Sequence, residues 1–400
     1  MSSARLLVVC PVLPFPPVDG GRKRTLRLLE AADAVGIRPH ILTTDTADAA
    51  PLRERGWTVE VLAEPPSTAL ARLRQHLRRL PSPAIPSIEA RLRELAHEPG
   101  TLVQIEHTQS AYYDGALSGV PWILSLHNVD SELQRTIAQT KRPGTLVWLR
   151  AWSRWQAMRR VERRVVPRAT AVLVVSEGDR ERLEVPGAEL IVCANGVDDV
   201  FFEIPVDAGE PDRILFFGRH DYPPNEHGLA RFLREGWGKV VAARPGARLR
   251  IAGAGVTDEL RELAEETTGV ELLGFVEDLV AEIAASSLTI VPLWAGGGTR
   301  LKVVEGMASS RPIVGTALGV EGVGFEGGRH GVVAESPAAM ADGIVELLDD
   351  PERGRELGRA ARDAAERYRW SHTTVAAAEL YRRLLPAPAD DARKSAFTAS

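Results

Sequence analysis

Residues 294–314 read WAGGGTRLKVVEGMASSRPIV, with three glycines and a basic pair ahead of an apolar helix that carries a single carboxylate. Gly297 and Gly298 let the backbone turn closely around a ligand, and Thr299 is a candidate N-cap. A helix start presents unpaired N–H groups, and with Arg300, Leu301 and Lys302 following, the segment is suited to an anion such as phosphate. Leu301, Val303, Val304, Met307 and Ala308 cover most of the helix circumference, which leaves Glu305 as the one charge of a buried helix. Such a carboxylate needs a partner. Lys302 is in reach three residues earlier, in the poorer orientation for a helical pair, and the hydroxyls of a ribose would serve equally well.

These residues require a strand before them and comparable groups elsewhere. SSLTIVPL (286–293) is a short apolar run that reads as a buried strand ending at the glycines. Arg219 likewise follows the strand-like RILFFG (213–218). In the first half, Gly20 and Gly21 separate the strand RLLVVC (5–10) from the helix GRKRTLRLLEAADAVG (21–36). His127 and Asn128 close LSLHN, and Glu106, with His107, closes VQIEH. The carboxyl ends of parallel strands are where α/β folds bind ligands, although His127 reads on this evidence equally well as the cap of the next helix. The set comprises a phosphate cradle of Arg219, Arg300 and Lys302, a carboxylate for sugar hydroxyls, and His127 with Glu106. It describes a nucleotide-sugar site. A dinucleotide cofactor is disfavoured, because no GxGxxG is present and GAG at 253–255 lacks the third glycine.

Strand-like and helix-like segments alternate from the start, and the pattern begins again after the Pro- and Asp-rich break FFEIPVDAGEPD (201–212). This implies an α/β protein of two tandem Rossmann-like, doubly wound domains with a cleft between them. The expected division is one domain over 1–203 and a second over 204–365. A C-terminal helix over 366–385, the end of a helical segment 363–385, and a loose tail over 386–400 complete it.

The chain has 400 residues, 44% hydrophobic and 26% charged, with net charge −5, which suits a globular protein and argues against a surface built for nucleic acid. Cys10 and Cys193 sit far apart in apolar runs with no metal-ligand spacing, so they read as buried thiols of a reducing compartment, and no metal is expected. The N-terminal apolar run reads as a first core strand rather than a signal peptide. Two helices, ALARLRQHLRRL (69–80) and LVWLRAWSRWQAMRRVERRVV (146–166), interleave Arg with Leu, Val and Trp, and Trp148, Trp152 and Trp155 share roughly one face. Either these are core-facing stripes with a solvated basic side or they contact an anionic membrane surface or an acidic acceptor.

PPVDGGRKR, HNVDSEL, VVSEGD, ANGVD, FFGRHDYPPNEHGL, IAGAG, GFVEDL and GGGTRLKVVEGMASSRPIVGT occur in an order that resembles retaining glycosyltransferases of the GT-B fold, in the large group called family 4. The resemblance covers nearly the whole chain. It implies a C-terminal domain holding a nucleotide-diphosphate sugar, an N-terminal domain holding the acceptor, and a last helix that crosses back to the N-terminal domain. It places Gly21 near the donor phosphates, His127 near the donor sugar, Arg219, Arg300 and Lys302 at the diphosphate, and Glu305 on the ribose. Gly297 stands where many members have a sugar-contacting glutamate. Asn225 or a neighbour stands where many have a lysine, a charge that Lys302 could replace. The implied reaction is sugar transfer to an acceptor hydroxyl with retention and without a metal, in the cytoplasm or at the inner face of the membrane of a bacterial cell. The products would belong to envelope polysaccharide or glycolipid synthesis, or to a small-molecule metabolite. His127, Glu106 and a leaving phosphate oxygen are all candidates to take the acceptor proton. A nucleotide-sugar epimerase and a non-catalytic sugar-nucleotide-binding subunit are the alternatives on the same fold.

Overall fold

The computed structural model describes residues 4–63, 85–139, 141–183, 185, 187–207, 209–295 and 301–385. The basic helix expected over 69–80, the residues Gly297, Gly298, Thr299 and Arg300, and the tail 386–400 lie outside them. The chain forms two units, Met1–Asn195 with Thr373–Ser400, and Gly196–His372.

In the first unit the apolar runs become β1 (Arg5–Val9), β2 (Arg38–Thr43), β3 (Thr58–Val61), β4 (Thr101–Glu106), β5 (Trp122–Ser125), β6 (Ala171–Val174) and β7 (Glu189–Val192). They pair in parallel in the order β3-β2-β1-β4-β5-β6-β7, with Val8 opposite both Ile41 and Gln104. Because side chains alternate along a strand, Leu6, Val8, Leu102 and Ile123 join one core with Leu28, Leu29, Ala377, Leu380 and Tyr381. Leu7, Val9, Val103, Ile105 and Leu124 join the other with Val161 and Val165. Burial of both faces explains why these strands read as continuous apolar runs. The order reverses between β1 and β4, and that reversal opens a crevice at the strands' carboxyl ends.

The second unit repeats the design with β8 (Glu210–Phe217), β9 (Arg248–Ala252), β10 (Val270–Gly274), β11 (Ser286–Val291), β12 (Ile313–Gly315) and β13 (Gly331–Val333). Their order is β10-β9-β8-β11-β12-β13, so this sheet reverses between β8 and β11. Ile214, Phe216, Leu249, Ile251, Leu288 and Ile290 form its core with Phe232, Trp237 and Ile344.

Two expectations are corrected. The division falls at 195/196 rather than 203/204, where Val197 N donates to Tyr368 O (2.7 Å) and ties the linker to the second unit. In the second unit the helix Pro223–Phe232 passes into a π stretch, Leu233–Trp237, which places Trp237 in the core with its Nε1 donating to Thr268 O (2.8 Å). The segment 363–385 is not one helix. Pro351–Ala365 gives way to a 3-10 turn, Arg369 is extended (ψ 140), and helices resume at Trp370–Thr373 and Val375–Leu384. The break comes where the chain leaves the second unit for the first.

Candidate functional site

At the β1/β4 crevice, the helix Gly20–Ala34 starts immediately after Asp19, whose carboxylate accepts from Arg22 N (2.9 Å). A side chain on Gly21 would bring its Cβ to 3.3 Å from His127 Nδ1, so glycine lets the helix start lie directly against the imidazole. Asn128 follows, half-buried. His127 Nε2 is 2.7 Å from Glu106 Oε2, and Glu106 has no exposed surface. Its carboxylate also accepts from Gln104 Nε2 (2.5 Å) and Thr25 Oγ1 (3.3 Å). Burial pushes the Glu106 carboxyl up, but the hydrogen bond and charge of His127, the charge of His107 and the Gln104 amide outweigh it, and the net direction is down. An ionised Glu106 can only accept, so His127 donates from Nε2. In the neutral imidazole Nδ1 is then the acceptor, and among the described residues it has no hydrogen-bond partner. A direct contact of Glu106 with an acceptor, one option open from sequence, does not suit a carboxylate enclosed in this way. Its place is behind His127.

Sequence reasoning passed over the groups that surround this pair. The His107 ring lies 3.8 Å from that of His127, with its backbone at φ 67, and burial together with the His127 charge pushes it down to about 3. A non-glycine residue at positive φ at the end of a strand marks a functional site more often than chance. Burial raises the Asp130 carboxyl. Burial also raises Glu162 to about 7 while its Oε1 accepts from Ser131 N (2.9 Å) at the start of the helix Asp130–Gln139. Only the pairing of Glu106 and His107 at a strand end was visible beforehand.

At the β8/β11 crevice the helix Leu301–Ala308 places Glu305 among buried residues, 7% exposed. Lys302 Nζ donates to Asn225 Oδ1 (2.8 Å) and sits 4.4 Å from the centre of the Phe216 ring. Gly218, at φ 147, makes this possible, since a Cβ there would fall 2.9 Å from the ammonium. Asn225 Nδ2 in turn donates to Arg219 O (2.7 Å). The Arg219 guanidinium grips Asp221, with Nε 2.9 Å from Oδ1, and this hydrogen bond holds the Asp221 carboxyl below its usual range. His220 is fully buried and pushed down to about 4 by burial and by the Lys302 charge. Lys302, Arg219, Leu301 and Glu305 are therefore brought to one edge of the second sheet, with Asn225 beside them and Gly218 as a part that the sequence did not single out. A lysine and an arginine beside a helix start can hold a diphosphate, and a carboxylate one turn on can hold hydroxyls.

Among the described residues no group of three His, Cys, Asp or Glu side chains could hold a metal ion, and no helix is long and apolar enough to cross a membrane. Cys10 and Cys193 are both free and buried.

Two family models match the chain, "Glycosyl transferases group 1" over residues 211–350 and "Glycosyl transferase 4-like domain" over residues 19–196. A phosphatidyl-myo-inositol mannosyltransferase of Mycolicibacterium smegmatis is 30% identical over 50% of this chain and 54% of its own length. A D-inositol 3-phosphate glycosyltransferase of Corynebacterium urealyticum is 30% identical over 32% of each chain. The match thus spans about half, or less, of these curated relatives. Among solved structures, sucrose-phosphate synthase from Thermosynechococcus elongatus superposes with TM-score 0.71 at 20% identity, covering 95% of this chain and 99% of its own. Anabaena HepE in complex with UDP and glucose superposes at 0.70 and 16% identity, covering 95% and 100%. Both share the GT-B architecture of two parallel sheets found here.

Proposed function

Because the chain belongs to the group 1 glycosyl transferases, we propose that it moves a sugar from a nucleotide-diphosphate sugar to an acceptor hydroxyl with retention at the anomeric carbon. The observation that carries this is the Lys302 ammonium, seated over Gly218 by Asn225 at the β8/β11 crevice. A lysine usual at another position of the family motif is replaced by one arriving from the glycine-rich segment, so the charge is kept although its origin has moved.

In this reading the second unit holds the donor. Lys302 and Arg219 face the diphosphate and Glu305 accepts from the ribose hydroxyls, while Gly297, Gly298, Thr299 and Arg300 are assigned to donor binding on the sequence motif. In the first unit, Gly20, Gly21 and Asn128 are candidate donor-binding residues, and His127 offers Nδ1 to a sugar. The bond from C1 to the leaving phosphate oxygen breaks and the acceptor oxygen bonds C1 on the same face. Fixed cations stabilise the charge that collects on the leaving group, which asks for no metal. The acceptor proton passes to the leaving phosphate oxygen or to His127. That a structural neighbour is described with UDP and glucose supports the donor class.

A lipid-linked acceptor at the inner face of the membrane is the reading we favour over a small metabolite or a polysaccharide. The helix Leu146–Val165 exposes Leu146 (73%), Val147 (56%) and Leu149 (46%) beside Trp152, among Arg150, Arg154 and Arg159. Such a face suits an anionic lipid surface, and a relative named for a phosphatidyl-inositol acceptor supports it.

The test is a titration of the full chain with UDP, GDP, ADP and dTDP sugars, read by thermal shift and by release of nucleotide. One nucleotide raising Tm, with Glu305→Ala abolishing the rise, upholds the donor site. Turnover of the donor without any acceptor would instead indicate an epimerase, and binding without turnover against every acceptor pool a sugar-nucleotide-binding subunit.

A further inference from the structure

A continuous line of buried polar groups runs from the last helix of the chain to His127. The Tyr381 hydroxyl donates to Gln104 Oε1 (2.7 Å), Gln104 Nε2 donates to Glu106 Oε1 (2.5 Å), and Glu106 Oε2 is 2.7 Å from His127 Nε2. Tyr381, Gln104 and Glu106 have no exposed surface. Gln104 and Glu106 are two apart on β4, so their side chains leave the same face of the sheet, the face on which the helix Val375–Leu384 packs through Ala377, Leu380 and Tyr381.

The chemistry of an amide gives this line a direction. A carboxamide has one acceptor end and one donor end, and Glu106, when ionised, can only be met by the donor end. A phenol that donates to the oxygen therefore fixes which way the amide points. Without it the Gln104 amide is held only through its donor contact with Glu106 and can rotate out of that contact.

We propose that Tyr381 is a positioning residue for His127: by fixing the Gln104 amide it holds Glu106 as the acceptor of His127 Nε2–H, which keeps Nδ1 the imidazole's acceptor. The other groups facing this line are His107, stacked on His127, the Asp130 carboxyl, the Arg24 guanidinium, and the Cys10 and Cys193 thiols. Thr25 Oγ1 also donates to Glu106 Oε2 (3.3 Å), the oxygen that meets His127, whereas Glu106 Oε1 is oriented by the Gln104 amide that Tyr381 holds.

The experiment is two-bond proton–nitrogen correlation spectroscopy on the full-length protein labelled at histidine, with His127 assigned by its loss in His127→Gln. The wild type is expected to show Nε2 protonated and Nδ1 bare at pH 7.5. Tyr381→Phe removes one oxygen atom and is expected to shift the tautomer ratio at least about fivefold toward Nδ1–H, the effect of losing one oriented hydrogen bond. Gln104→Met, which breaks the line in its middle, should shift it at least as far, and Tyr381→Phe added to it should do nothing more. A purely structural Tyr381 would lower Tm and leave the His127 nitrogens unmoved, and unchanged spectra in both variants overturn the proposal. Since no turnover is measured, the result is independent of whether the donor assignment holds.

Discussion

The two sheets reverse order in the same way yet treat polar groups oppositely at the reversal. In the first unit the crevice carries a histidine backed by a carboxylate with no exposed surface, and orientation is secured by burial and a chain of hydrogen bonds. In the second it carries cations at the rim. Arg219, half exposed, grips Asp221, and Lys302 lies on Asn225. A buried pair is expensive to leave unsatisfied, so it must be complete before a ligand arrives, whereas a rim cation can exchange its protein partner for a phosphate. One crevice is built for geometry and the other for charge.

That contrast can be broken most decisively at Lys302. Lys302→Met is expected to lower kcat by roughly 10²–10³-fold, the usual cost of one preorganised charge at a developing anion. Adding Asn225→Lys, which restores an ammonium at the same spot, should recover at least about tenfold. Failure of that rescue in steady-state transfer assays would mean that Lys302 acts through more than its charge. On the other side, Gly21→Ala should cost about tenfold in kcat/KM by crowding Nδ1 while the nucleotide-induced Tm shift survives, because geometry and not charge is disturbed. A lost shift would show that the two crevices are not separable.

The contrast is sharpened by pH. Glu162, raised by burial to about 7 from 4.5, binds its proton more tightly when folded. Its unfavourable contribution is absent below about pH 4.5, grows as pH rises through that range, and levels off above about 7, where it reaches about 3 kcal/mol at most. Glu162→Gln should therefore raise Tm at pH 8 relative to wild type and change it little at pH 4.5. Equal effects at both values would place the raised carboxyl elsewhere. Glu106 runs the other way. Its lowered carboxyl stabilises above the ordinary glutamate range, and that stability is lost as pH falls through the folded value. The smallest expected effect is at the surface. Leu146→Ser with Leu149→Ser should weaken flotation with vesicles containing anionic lipid by about tenfold and leave transfer to a soluble acceptor untouched.

Much of this was legible in the sequence, and the failures have one cause. Short apolar runs such as RLLVV and SSLTIV announced strands because both faces of each sheet are covered. Arg219 and His127 were visible because each comes just after a strand, Glu106 because it closes one, and Lys302 because it starts the helix after the glycines. What could not be read was which polar group meets which. Lys302 and Asn225 are 77 residues apart, and the ammonium's seat depends on Gly218 having no side chain. Glu106 looked like a group at an open edge because nothing local showed that Thr25, Gln104 and His127 enclose it. The helical pattern over 363–385 carried no sign that the chain changes units in the middle of it. The arginine-rich helix was the reverse case, since its composition was plain while its exposed end, Leu146 to Leu149, depended on what the fold left uncovered.

The return of the last helix to the first sheet also sets a timetable for synthesis. The bond between Tyr381 and Gln104 joins residues 277 positions apart, with the whole second unit made between them. At 5–20 residues per second, the β4 face waits roughly 14–55 s on the ribosome before its cover exists. During that interval Leu6, Val8, Leu102 and Ile123 lack the Ala377, Leu380 and Tyr381 side chains that help close their core in the finished protein. The nascent first unit is thus a natural client for a chaperone until the C-terminal helix emerges.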